Sequence, residues 1–151
     1  MTRMPSPAAL LPDSGRAINL LYKAATSTDL DPAVLALTHL RASQINGCGP
    51  CVDSGAREMR KHGESDERLF AVAAWRETPY FSDAERAALA LAESATRLAD
   101  RSDAVPDDVW DEAARHFDER QLAAIVLWIA TTNLFNRLNV TTRQPAPQNW
   151  G

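Results

Sequence analysis

The chain has two cysteines, Cys48 and Cys51, close together in the stretch "NGCGPCVDSG". A pair at this spacing can close a redox-active disulfide, supply half of a metal site, or sit as small apolar side chains in a core. A tetrahedral zinc site needs further ligands, and His39, His62 and His116 are scattered singly with no second paired motif. No metal and no cofactor is therefore expected. If a helix opens at the motif, positions 48 and 51 fall on one face, near enough for the sulfurs to bond. Pro50 suits a first turn, where the missing N–H has no intrahelical partner anyway, and Gly49 leaves room for an incoming thiol. The unpaired N–H groups and positive dipole end of that turn favour the thiolate. The spacing thus favours reversible dithiol–disulfide chemistry over the metal and core readings. A Cys48–Cys51 disulfide within one chain is the expected oxidised form.

Such chemistry needs a proton acceptor. Ser54, one turn past Cys51, is a weak base, and Asp53 points elsewhere. At about 1.5 Å per residue, Glu58 and His62 lie roughly 10 and 16 Å along the same helix, beyond reach. His39 becomes the candidate base if the chain folds back at Asn46-Gly47. Arg41 is an alternative as a fixed cation, although an arginine near a helix end more often pairs with a carboxylate.

The elements that must position these residues read as helices. Asp31-Pro32 is an N-cap with proline at the first helical position, opening "DPAVLALTHLRASQI" and ending at Asn46-Gly47. The next helix begins near Cys48 and stops by Gly63, with a short helix through "ESDERLFAVAAW". Ser82 and Glu85 form a capping box for "SDAERAALALAESATRL", whose apolar stripe runs Ala84, Ala88, Leu91, Ala95, Leu98. Asp118 and Gln121 open "DERQLAAIVLWIATTNLFNRLNV", apolar over so wide an arc that it is expected to be the most buried helix or to face another subunit. Further helices are expected at "GRAINLLYKAAT" and "PDDVWDEAARHF". No alternating strand pattern appears, so the fold class is all-α. Trp75, Trp110 and Trp128 are expected in the core or an interface rather than a substrate box. Organisation is predicted as an N-terminal arm over 1–12, one helical domain over 13–143 and a C-terminal tail over 144–151.

With 151 residues, 45% hydrophobic and 24% charged, the chain is sized for a single domain with a real core. A net charge of -4 and a pI near 5.3 exclude a general nucleic-acid binder and an acidic membrane surface. No apolar run approaches the roughly 20 residues of a membrane helix, and prolines break the N-terminal segment; a cytoplasmic location is expected.

Three ordered motifs, "LRASQINGCGPCVDSGAREMR", "WRETPYFSDAERAALALAE" and "NLFNRLNVTTR", resemble the AhpD-like alkylhydroperoxidase branch of the carboxymuconolactone decarboxylase family over about Asp31 to Arg143. The "CGPC" tetrapeptide is also that of thioredoxins, but no strand precedes it and nothing else resembles their fold. The family resemblance implies an AhpD-like helical bundle, a homotrimer or homohexamer, and peroxide reduction in which Cys51 attacks and Cys48 resolves. It implies a peroxide or disulfide substrate and a thiol reductant of unknown identity. Asn133, Asn136 and Arg137 fall in the "NLFNRL" motif, with hydrogen bonding between subunits the expected role. Two departures stand out. The family's histidine four residues beyond the second cysteine is Gly55 here, and its glutamate twelve residues before the first is Ala36. A thiol without the relay reacts slowly with peroxide, which shifts the expectation towards disulfide exchange. The competing reading is a non-redox decarboxylase-like enzyme or a degenerate oligomeric binding protein. A histidine placed at position 55 is expected to fit the helix and to restore a base.

Overall fold

The computed structural model describes residues 1–149; Trp150 and Gly151, the end of the expected tail, lie outside the described residues. In chain order the helices are α1 (Pro7–Leu10), α2 (Pro12–Ala25), α3 (Pro32–Ile45), α4 (Gly49–Lys61), α5 (Asp66–Ala71), α6 (Asp83–Thr96), α7 (Asp107–His116) and α8 (Glu119–Thr142), with a 3-10 segment at Val72–Glu77. The architecture is all-α as expected, with no strand among the described residues. The first residues are tied down, since the Arg3 backbone N–H donates to the Thr142 carbonyl at 3.0 Å.

Local chemistry sets the ends. The Asp31 side chain accepts from the Ala33 N–H, with Pro32 in the first turn of α3. Capping boxes form at Ser82/Glu85 and at Asp118/Gln121. Because α6 ends at Thr96, Leu98 falls off the expected stripe and is 55% exposed.

Helix α3 is the one held on all sides, so of the two expectations for α8, most buried or facing another subunit, the first does not hold. Half of α3 is buried, seven of its 14 residues, against nine of 24 in α8, which leaves Val126, Leu134 and Val140 exposed. The reason is that α3 separates two cores. Val34 and Leu35 pack with Leu91, Ile125 and Ile129 from α6 and α8. Leu37 and Leu40 pack with Met59, Val72, Trp75 and Leu89 on the other side. Trp75 and Trp128 are buried, whereas Trp110 is 42% exposed.

A charge cluster locks α3 to α6. Buried Glu93 accepts from Arg41 Nε at 2.7 Å, Arg76 Nη1 at 2.7 Å and Trp75 Nε1 at 3.1 Å, with Arg97 Nη1 at 3.3 Å. Arg41 is thus committed to a carboxylate and is not the cation beside the cysteines. Burial by itself would raise the Glu93 pKa, but hydrogen bonds from Arg76, Trp75 and Arg41 outweigh it and hold the carboxyl at about 2. A depressed carboxyl stabilises the fold fully above its unfolded value of 4.5, and that contribution drains away as pH falls towards about 2. Glu93→Gln should therefore cost about 3 kcal/mol at neutral pH. In urea unfolding at a series of pH values, the gap between wild type and variant should narrow between pH 4.5 and 2; a constant gap would contradict this role.

Candidate redox site

The cysteines sit where one helix ends and the next begins. Gly47, at φ 65°, supplies the left-handed turn that closes α3. The Gly47 N–H donates to the Gln44 carbonyl at 3.2 Å and the Cys48 N–H to the Ser43 carbonyl at 3.0 Å, the paired bonds of a Schellman ending. The Cys48 carbonyl then accepts from the Val52 N–H at 2.9 Å, so Cys48 is also the N-cap of α4. Its backbone is held from both sides. Cys48 and Cys51 are joined by a disulfide with Cα atoms 5.3 Å apart. Cys48 is fully buried and Cys51 is 4% exposed.

Helix α8 runs beside α3 in the same direction and bonds to it at a constant offset. Trp128 Nε1 donates to the Leu35 carbonyl at 3.0 Å, Thr132 Oγ1 meets His39 Nδ1 at 3.1 Å, and Asn136 Nδ2 donates to Ser43 Oγ at 3.1 Å. Each pair is 93 residues apart in sequence. At the α3 terminus Asn46 Nδ2 donates to the Oδ1 atoms of both Asn133 and Asn136, each at 2.9 Å. Asn133 and Asn136 therefore bond within the chain, and Asn136 is buried. One turn further along α8, Asn139 Nδ2 lies 3.3 Å from Cys51 Sγ and 3.8 Å from Cys48 Sγ. This amide N–H on the sulfurs was not singled out in the sequence. Its signal is the spacing of Asn133, Asn136 and Asn139 along one helix.

His39 reaches the cysteine turn, but through its backbone. Burial lowers the His39 pKa, and a hydrogen bond to the Cys51 carbonyl works in the opposite direction. On its other side the ring is held through Nδ1 by the Thr132 hydroxyl. The ring also lies 5.8 Å from the Trp128 ring, centroid to centroid. Its space is the space that a side chain at position 55 would need: a Cβ on Gly55 would come 3.0 Å from His39 Cδ2 and 3.4 Å from Nε2. A histidine at 55 would therefore crowd the imidazole of α3, which would have to give by a few tenths of an ångström, a constraint that spacing within α4 does not show. His62 pairs with Glu58 at 3.0 Å and His116 with Glu112 at 3.1 Å. Among the described residues, no group of three metal-ligating side chains gathers.

The model of the carboxymuconolactone decarboxylase family matches residues 12–94, more than half of the chain. The chain belongs to the carboxymuconolactone decarboxylase family. It is 31% identical over 131 residues to the uncharacterized protein YdfG of Bacillus subtilis, covering 87% of this chain and 88% of that one. It is 37% identical to the uncharacterized protein YnjA of Escherichia coli over 117 residues, 78% of this chain and 63% of that one. A solved protein of unknown function from Agrobacterium tumefaciens, a candidate antioxidant defence protein AhpD, superposes with TM-score 0.90 at 32% identity, covering 99% of this chain and 100% of that one. The debrominase Bmp8, solved with 2,3,4-tribromopyrrole, shares the fold at TM-score 0.79 and 22% identity, covering 93% of this chain and 74% of its own.

Positions 36 and 55 face one space. Ala36, Gly55 and His39 all border a cavity of about 710 Å³ beside α4. Contact between position 55 and His39 has a measurable consequence. Gly55→Ala alone should destabilise by about 1 kcal/mol, as crowding outweighs the helical gain. With His39→Ala in place, the same change should stabilise by about 0.5 kcal/mol. Urea unfolding of the four proteins reads the sign reversal; additive effects would show that the two positions do not compete.

Proposed function

We propose that the protein is a CxxC-dependent peroxidase of the AhpD-like type, cycling between dithiol and disulfide at Cys48 and Cys51. The observation that carries this reading is the closed pair at the first turn of α4, with the Asn139 amide directed at its sulfurs. Cys51, the less buried of the two, is the attacking thiolate. Its sulfur attacks the terminal oxygen of a hydroperoxide; the S–O bond forms, the O–O bond breaks, and the departing alkoxide takes a proton to leave as alcohol. Cys48 then attacks the Cys51 sulfenic acid. The S–S bond forms, and hydroxide leaves with the Cys48 proton as water. A dithiol reductant restores both thiols, supplying two electrons and two protons and becoming a disulfide itself. It approaches over Gly49, which is exposed and where an added Cβ would meet nothing within 4 Å.

With the relay positions occupied by Ala36 and Gly55, the thiolate is favoured by the helix start and by Asn139. His39, held by Thr132 and packed against Gly55 one turn past Cys51, positions the attacking residue. The chain further assembles into a trimer or hexamer, using the exposed apolar residues Val126 and Leu134 of α8; light scattering that gives a monomer at micromolar concentration refutes this.

Two variants test the chemistry. Cys48→Ser treated with peroxide should accumulate Cys51 sulfenic acid, captured by dimedone and seen by mass spectrometry. Asn139→Leu should move the thiolate titration of the reduced protein upward by about one pH unit, the worth of a hydrogen bond to a charged group, and slow peroxide reduction about tenfold at neutral pH. An unreactive Cys51 in Cys48→Ser would remove the peroxidase reading.

A further inference from the structure

We propose that Arg3 is a positioning residue for the redox pair: it completes the C-terminal cap of α8 and thereby holds the Asn139 amide against the sulfurs of Cys48 and Cys51. The proposal rests on the redox reading of that pair, though not on peroxide as its oxidant.

An α-helix leaves its last four carbonyls without partners inside the helix. In α8 these belong to Asn139, Val140, Thr141 and Thr142. The chain that follows satisfies two of them. The Gln144 N–H donates to the Asn139 carbonyl at 2.9 Å and the Arg143 N–H to the Val140 carbonyl at 3.2 Å, the same kind of paired ending that closes α3. Here the left-handed position is taken by Arg143, at φ 55°, where α3 has a glycine. A residue with a side chain is strained at that φ, so this ending opens readily unless something else holds it. The opposite end of the chain supplies the hold. The Arg3 N–H donates to the Thr142 carbonyl and Arg3 Nη1 to the Thr141 carbonyl, each at 3.0 Å. Gln144 closes the clasp, its Nε2 donating to the Met4 carbonyl at 2.9 Å.

Asn139 is the first residue of the turn capped in this way. Its carbonyl carries the Gln144 bond, and its side chain carries the contacts with both sulfurs. Fraying of the last turn of α8 therefore withdraws the amide from the pair, and with it the donor that favours the thiolate. The other titratable and charged groups on the surrounding elements are committed or turned outward. On α3, His39 is held by Thr132 and Arg41 by Glu93; on α4, Asp53 pairs with Arg57; on α8, Arg137 and Arg143 are exposed. Arg3 itself is exposed and acts through α8, so its replacement leaves both cores intact.

The test follows each link in turn. In Arg3→Ala, backbone amide exchange at Arg143 and Gln144 should quicken about threefold, and the thiolate titration of the reduced protein should move upward by about 0.5 pH unit, half the shift expected for Asn139→Leu. Alkylation by iodoacetamide below that titration should slow about threefold. Arg3→Lys keeps a donor for the Thr141 carbonyl and should fall nearer to wild type. The decisive comparison is a double-mutant cycle: with Asn139→Leu in place, Arg3→Ala should move the titration by no more than about 0.2 pH unit. An unmoved titration in Arg3→Ala, with or without faster exchange, overturns the proposal. An equal shift with and without Asn139 also overturns it, because Arg3 would then act as a distant charge. If the dependence on Asn139 holds in a protein that reduces no peroxide, the positioning role stands and the peroxidase reading alone falls.

Discussion

Everything at the cysteines depends on the register of α8 against α3. The two helices run parallel, and three hydrogen-bonded pairs keep the same offset of 93 residues, from Leu35–Trp128 through His39–Thr132 to Ser43–Asn136. Parallel α-helices advance equally per residue, so one fixed rung sets all the others. The next rung falls where α3 ends, and there the asparagines take over: Asn46 is held by Asn133 and Asn136, and Asn139 reaches the sulfurs. These groups are largely buried, and a slip would leave donors and acceptors without partners, at a cost of about 1 to 3 kcal/mol each. The register is therefore tightly specified, and the redox pair inherits its position from it.

The same register sets what stands beside position 55. His39 is carried by α3, is pinned by Thr132 of α8, and places its ring against Gly55. An imidazole is thus present beside α4, one turn past Cys51. Ala36 and Gly55 border one cavity together with His39, whose ring takes the space nearest Gly55.

Much of this was legible in the sequence where the determinants are local. Asp31-Pro32, Ser82 with Glu85, and Asp118 with Gln121 mark helix starts through contacts within one turn, and each forms as read. Asn46-Gly47 likewise announces the end of α3. Long-range pairing was not legible. The wide apolar arc of α8 pointed to the most buried helix or to a face for another subunit, and within the chain it is α3 that lies between the two cores. Asn133 and Asn136 looked like groups for a neighbouring subunit, because nothing local says that Asn46 would stand opposite them. The conflict between position 55 and His39 is hidden for the same reason: the residues are distant in the chain, and helical spacing reports only on neighbours within one helix.

Redox cycling at Cys48 and Cys51 is tested most directly by stoichiometry. The fully reduced protein is mixed with one equivalent of cumene hydroperoxide per chain, and free thiols and the alcohol product are counted together. Cycling at this pair requires the loss of both thiols of the chain, an intramolecular Cys48–Cys51 link by mass spectrometry, and one equivalent of alcohol. Thiols that persist while the peroxide remains intact, or a product joined only between chains, would contradict it.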